Sequence, residues 1–313
     1  MFNRRYLRIK VFQAIYAFHQ ENKENRNAHF KNLTRSIEKA YELYIFLMAL
    51  PAAFKHFIFL ELEAQKAKYI PVESAIKILE SLHQNKVFAA FENNKTLNEL
   101  IKKHKCHWNN NKELFKQLWG LIKANEAFIS YSQKANHSFA EDKAITMEMF
   151  EICFGQSEAF ENYVEERYMN WEDDQVLVFL QTMKTIQTMT EQKPDSIIHG
   201  QLLNNEDEQF IEELYHKTVL NTDELTQLIA AKTKNWDTDR LALVDMLFMQ
   251  MALAEVLYFE HIPVKVSINE YLELAKLYST PNSHGFINGV LDKIHLDLKQ
   301  QNKLHKVGRG LVE

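Results

Sequence analysis

The sequence predicts an all-α fold, on three observations. Glycine (7) and proline (5) are scarce in 313 residues, and strands joined by tight turns would need more of both. Leu, Lys, Glu and Ala are abundant, and these residues suit helices with short links. Apolar residues recur at helical spacing in segment after segment. The chain is long enough to bury a real core in one or two domains.

Residues 3–19 read as the first helix. Asn3 is a fitting N-cap, and Leu7, Val11, Ala14, Ile15 and Phe18 line one face. Arg4, Arg5 and Arg8 lie on or beside the opposite face. The polar stretch Gln20 to Ala28 reads as a loop. Helical patterns follow at 30–50, 52–68, 72–92, 96–105, 112–135, 142–153, 156–170 and 172–191. The link from Gln192 to Asn205 carries Pro194 and Gly200 and is the preferred domain boundary. Beyond it, helices are expected at 206–218, 222–234, 237–260, 263–278 and 281–300. Pro263 suits a first-turn position, and Ser267 with Glu270 has capping-box spacing. Thr280-Pro281 reads as an N-cap followed by a first-turn proline. Phe286, Val290, Leu291 and Ile294 keep helical spacing across Asn288-Gly289, so Gly289 is expected where another helix approaches closely.

A faint repeat runs through the second half. Asp142, Glu148, Asn170, Trp171 and Asp174 recur 65 positions on as Asp207, Glu213, Asn235, Trp236 and Asp239. Two readings stand open: chance among amphipathic helices, or a duplication that makes 142–191 a degenerate copy of 207–256.

Composition and spacing argue against several function classes. The two cysteines, Cys106 and Cys153, offer no disulfide framework and suit a reducing, cytoplasmic setting. No signal peptide is evident at the basic, amphipathic N-terminus. The best membrane candidate, Leu43 to Leu60, has an uncharged run of 12 residues from Leu43 to Phe54. A span needs about 20, so buried core helices are expected instead. His104, Cys106 and His107 sit close together, but zinc needs four ligands and no complementary pair stands elsewhere, so no metal is expected. Neither a glycine-rich phosphate loop nor a nucleophile–histidine–carboxylate pattern is visible. Neither a cofactor nor an enzymatic activity is expected.

The net charge of −5 is not that of a chain coated with nucleic acid, so any RNA contact must come from a local patch. Arg4, Arg5, Arg8 and Lys10 form one, with no acidic residue among them. Such a cluster can grip phosphates or stack on bases, although by itself it also fits a solvated basic face. Between Glu141 and Asp174 stand eleven acidic residues and two basic ones. That run reads as a solvated face or as a docking surface for a basic protein.

The two ends of the chain carry a family resemblance. Pro263, Val266, Ile268, Asn269, Glu270, Glu273, Leu274, Ala275 and Lys276 precede a second run, Phe286, Ile287, Asn288, Gly289, Val290, Leu291, Asp292 and Lys293. At the other end stand Arg4, Arg5 and Arg8, then Gln13-Ala14-Ile15-Tyr16. In this order they resemble the NusB family of transcription antitermination factors. The resemblance implies a NusB-like helical bundle core with an additional inserted or N-terminal helical bundle. Residues 1–20 would be the first helix of that core, 21–200 the extra helical region, 201–300 the C-terminal core and 301–313 a basic tail.

The family's function is implied with it: binding of boxA-like single-stranded RNA of ribosomal RNA operons together with NusE, the small-subunit ribosomal protein, in support of the RNA polymerase elongation complex. On that resemblance Arg4, Arg5 and Arg8 contact phosphates or bases. Phe286 stacks on a base, and Asn282, Ser283 and Asn288 bond base edges. Asp239, Asp245 and Glu255 would receive the basic protein partner. Tyr6 and Gly285 stand where the family often has basic residues, and Met249-Gln250 and Ala254-Glu255 replace a Leu-Arg and a Tyr-Glu pair. These changes keep a second reading open, a protein-only helical adaptor that has lost most RNA affinity. A third, the accessory domain of an RNA methyltransferase, would need a glycine-rich cofactor domain.

Overall fold

The computed structural model describes residues 3–108, 111–193, 203–233 and 242–311. Among these the fold is all-α, with no strand beyond a single antiparallel bridge between Thr190 and Lys193. The chain divides into two compact units. One spans Ser36–Leu202; the other combines Phe2–Arg35 with Leu203–Glu313. Residues 21–35 therefore cluster with the C-terminal helices rather than with the extra region, where the sequence reading put them.

The Ser36–Leu202 unit holds most of α2 (Arg26–Met48), then α3 (Leu50–Lys66), α4 (Glu73–His83), α5 (Lys86–Asn93) and α6 (Lys95–His104). It continues with α7 (Lys112–Ile122), α8 (Glu126–Ser132), α9 (Phe139–Gln156), α10 (Glu158–Glu165) and α11 (Trp171–Thr188). Two stretches expected as single helices are pairs. Asn85 accepts from the amides of Val87 and Phe88 at 2.9 Å and starts α5. Asn125 accepts from the Ala127 amide at 2.8 Å and starts α8. An asparagine that bonds its own backbone this way caps a new helix instead of continuing the old one. The 26–66 stretch is apolar enough by length and composition to cross a membrane, yet 67% of its apolar window is buried in the fold. It is also two helices, with Pro51 in the first turn of α3.

The other unit is built on α1 (Arg4–Gln20), α12 (Asn205–Leu220), α13 (Thr222–Lys232), α14 (Leu243–Tyr258), α15 (Val264–Tyr278) and α16 (Ser283–Gln300). A short 3-10 turn, Gly308–Leu311, follows. Asn3 caps α1 as expected, accepting from the Tyr6 amide at 2.8 Å. Helix α14 is the axis: Leu247 through Val256 is buried without interruption, and α1, α12, α13, α15 and α16 all pack on it. A helix apolar on every side is stable only in such a sheath.

Several local expectations fail here. Helix α15 begins after Pro263, and Ser267 sits inside it, buried, not at its cap. Helix α16 begins at Ser283, beyond Thr280-Pro281, with Asn282 at the cap position. It runs unbroken through Asn288-Gly289, but a Cβ at Gly289 would meet nothing within 4 Å, so no helix presses there. The Asn235, Trp236 and Asp239 members of the repeat, and most of the 192–205 link, lie outside the described residues.

Candidate nucleic-acid interface

The four cations of the first helix do not form one solvated face. The α1 pattern buries Tyr6, Leu7, Val11, Phe12, Ile15 and Phe18, and the same turn carries Arg8 and Lys10 inward. Arg8 is 3% exposed and grips Glu255, itself 0% exposed, with Nε and Nη2 at 2.8 and 2.6 Å. Glu255 also accepts from Ser267 Oγ at 2.8 Å and from the Tyr271 hydroxyl at 3.1 Å. Every acceptor direction of this carboxylate is thus used, which is what a buried charge requires. Burial works to lower the Arg8 pKa, but the hydrogen bond and charge of Glu255 outweigh it and hold the guanidinium above its ordinary value. Burial, reinforced by Glu255, pushes the Tyr271 hydroxyl well up. Arg8 therefore has no free edge for a phosphate, and Glu255 has no surface from which to steer a basic protein. Both expectations are corrected by the same buried pair.

Arg4 and Arg5 face outward. Arg5 makes a bidentate pair with Glu270 at 3.0 and 2.7 Å, and this hydrogen bond raises its pKa. Arg4 stands 3.8 Å from Glu206 and 3.7 Å from Asp207, with its guanidinium 5.0 Å from the Phe210 ring centre. At such exposure these pairs are weak and can exchange for another anion. Lys10 is buried beside the Tyr6 ring.

The α15–α16 loop is stapled from beneath. Asp245, 6% exposed, accepts from the hydroxyls of Ser279 and Ser283, the latter at 2.7 Å. The Thr280 and Ser283 hydroxyls lie 2.8 Å apart. Asp245 thus holds the loop and presents little to a protein partner, and Ser283 is buried and committed to it, not free for a base edge. Asn282 is exposed, while Phe286 and Asn288 are half-buried on the first turns of α16. Asp239 lies outside the described residues.

Between the arginines and this loop runs one edge of α15. Glu273 is held below the usual carboxylate range, first by its Lys276 hydrogen bond, with Arg5 and His284 adding to the effect. On the arginine side, a shallow cavity of about 660 Å³ brings Arg4, Arg5, Arg8 and Arg309 around an apolar floor that includes Ile262 and Val266. Glu270 is the carboxylate among its described lining residues. Asn282, Ser283, Phe286 and Asn288 are not among them. Sequence reasoning missed the pairing role of Glu270 because Ser267 and Glu270 read as a capping box. The relevant spacing was Ser267 to Tyr271, one helical turn, which brings both hydroxyls to Glu255.

The C-terminal helices that frame this geometry match a known family model, the NusB family, over residues 174–296. Residues 174–296 are a NusB-family domain. The NusB match starts within α11 and does not extend to α1, which the fold nevertheless packs against α12 and α14. Three proteins described as transcription antitermination protein NusB are similar to this region. That of Salinibacter ruber is 45% identical over 103 residues, 33% of this chain and 64% of its own. Those of Chloroherpeton thalassium and Natranaerobius thermophilus are 42% and 41% identical, over 49% and 66% of their own lengths. The chain thus spans about half to two thirds of the lengths of the NusB relatives it matches. No solved structure matches the chain.

Proposed function

We propose that this protein is a non-enzymatic, cytoplasmic RNA-binding factor of transcription antitermination. It would bind boxA-like single-stranded RNA of ribosomal RNA operons together with NusE and support elongation by RNA polymerase. The observation that carries this reading is the pair of outward arginines, Arg4 and Arg5, on a cavity of about 660 Å³ beside a NusB-family domain. The names of the three relatives favour the same role. Capture would be electrostatic: phosphates displace Glu270 and Glu206 from guanidinium groups whose planar fork fits either anion.

The test is binding of a short boxA-like RNA at rising salt, with and without NusE. Affinity should fall steeply with salt, and Arg4→Ala with Arg5→Ala should weaken binding by roughly tenfold or more. A double variant that binds as well as the wild type in the presence of NusE would remove these arginines from the site. A protein-only adaptor is the second reading, favoured by one specific observation: each arginine of α1 already faces a carboxylate. It predicts NusE binding with no RNA binding in either condition.

A further inference from the structure

The chain beyond α16 follows a constrained path. Asn302 adopts a left-handed conformation at φ 52° just after the helix. Lys306 then donates from Nζ to the Phe259 carbonyl at 2.8 Å, and the Val307 amide donates to the Glu260 carbonyl at 3.0 Å. Gly308 sits at φ +54°, which favours glycine, and Gly310 is buried against the turn between α14 and α15. A Cβ at Gly310 would lie 2.0 Å from the Glu260 carbonyl oxygen, so no other residue fits this docked path. Burial lowers the Lys306 amine to about 8, as expected of a cation packed under the chain rather than held in water.

Between these two glycines stands Arg309. It is exposed and lines the same cavity as Arg4, Arg5 and Arg8. The three arginines of α1 are engaged by Asp207, Glu270 and Glu255 respectively. Arg309 has no ion-pair partner among the described residues. A guanidinium with no carboxylate to give up gains more from a phosphate than one that must exchange partners. Its backbone is already held on both sides, so ordering it costs less than ordering a free tail.

We propose that the docked C-terminal tail is part of the RNA site, with Arg309 making the first phosphate contact of a bound single strand. Ile262 and Val266, on the cavity floor, provide the apolar surface against which the adjoining nucleotide rests. This rests on the RNA-binding reading above and adds to it a contact from beyond the NusB match, which ends at residue 296. The tail is then a structural member of the interface, fixed by Gly310, and Arg5 engages second, after leaving Glu270.

The test uses the full chain and a short fluorescein-labelled boxA-like RNA, titrated by anisotropy between about 50 and 200 mM salt. Arg309→Ala should weaken binding roughly tenfold, the loss of one charge-assisted contact. It should also lower the slope of log affinity against log salt by about 0.7, as one phosphate contact on a single strand is lost. Gly310→Val, which keeps the arginine but evicts the tail, should show the same loss, and Arg309→Lys should keep most of the salt slope. If Arg309→Ala bound as the wild type while the Arg4→Ala, Arg5→Ala chain was weakened, the tail would be excluded and the RNA-binding reading would stand. Normal binding by Gly310→Val would show that docking is irrelevant and would likewise overturn the proposal. Absence of RNA binding by the wild type, with NusE present, would remove both.

Discussion

Helices α9, α10 and α11 of one unit and α12, α13 and α14 of the other share a frame but not an inventory of charge. Moved 65 positions along the chain, α9 would cover 204–221, where α12 runs Asn205–Leu220; α10 would cover 223–230, within α13 at Thr222–Lys232. The core positions coincide as well: Phe150 with Tyr215, Phe160 with Leu225, Val164 with Ile229, and Ile186 with Met251 are all fully buried. In each unit the third helix packs on the first two. Asp142 accepts from the amide of Lys86, the first residue of α5, while Asp207 faces Arg4, the first residue of α1. Both of those helices start from an asparagine cap.

What differs is the polar apparatus. Where the NusB-family unit has Asp245 and Glu255, the other unit has Leu180, exposed, and Thr190. The loop staple and the Arg8 socket have no counterpart at those positions. The frame is thus held by apolar positions that both regions keep, and the loop staple and the Arg8 socket by Asp245 and Glu255, which only one has. Carboxylates buried under arginines decide which cations remain at the surface.

The sharpest way to break this comparison is to remove Arg8. Arg8→Ala leaves Glu255 as an uncompensated buried charge, a loss of about 3–5 kcal/mol. Replacing both partners, with Arg8→Met and Glu255→Leu, removes the unpaired charge but leaves the buried Ser267 and Tyr271 hydroxyls without their acceptor, so it should recover only part of the loss. Urea denaturation of the three chains measures this. If Arg8→Ala were neutral, the pair would not be structural and Arg8 would return to the list of RNA contacts.

A matched pair of truncations comes next. Ile186→Ala and Met251→Ala remove equivalent side chains, both fully buried. Each should cost about 2–5 kcal/mol. Amide hydrogen exchange should locate the first loss in the Ser36–Leu202 unit and the second in the NusB-family unit. Unequal costs beyond that range would mean that the shared positions are not equivalent in packing.

How far the sequence could be read follows the same division. Apolar spacing located most helices, because it reports burial directly, and it failed at Asn85 and Asn125, where one side chain recaps the backbone inside an otherwise continuous pattern. The site was harder to see. Arg4, Arg5 and Arg8 lie within five positions and look alike as letters. Their fates depend on Asp207, Glu270 and Glu255, more than 200 residues away, and on which side of α1 faces α14. Glu255 and Asp245 read as surface acids because a carboxylate usually is one, and only the tertiary fold shows the hydroxyls and guanidinium around them. The tail was read only as basic, since its docking depends on a carbonyl at Glu260 that no pattern in the letters marks.

The smallest effect tests the comparison from the other side. At the position where the NusB-family unit buries Leu247, the other unit buries Thr182, and the Thr182 hydroxyl has no hydrogen-bond partner among the described residues. A hydroxyl enclosed without a partner forfeits its bonds to water, at about 1–3 kcal/mol. Valine has nearly the same shape and no polar atom, so Thr182→Val should stabilise the chain by about 1 kcal/mol, read as a raised urea midpoint with an unchanged slope. The equivalent polar change, Leu247→Thr, should destabilise by more, since it adds an unmet hydroxyl and removes buried carbon. Should Thr182→Val instead lower the midpoint, the hydroxyl would be meeting a partner of its own, and the unit without the Arg8 socket would hold a polar contact that the NusB-family unit lacks.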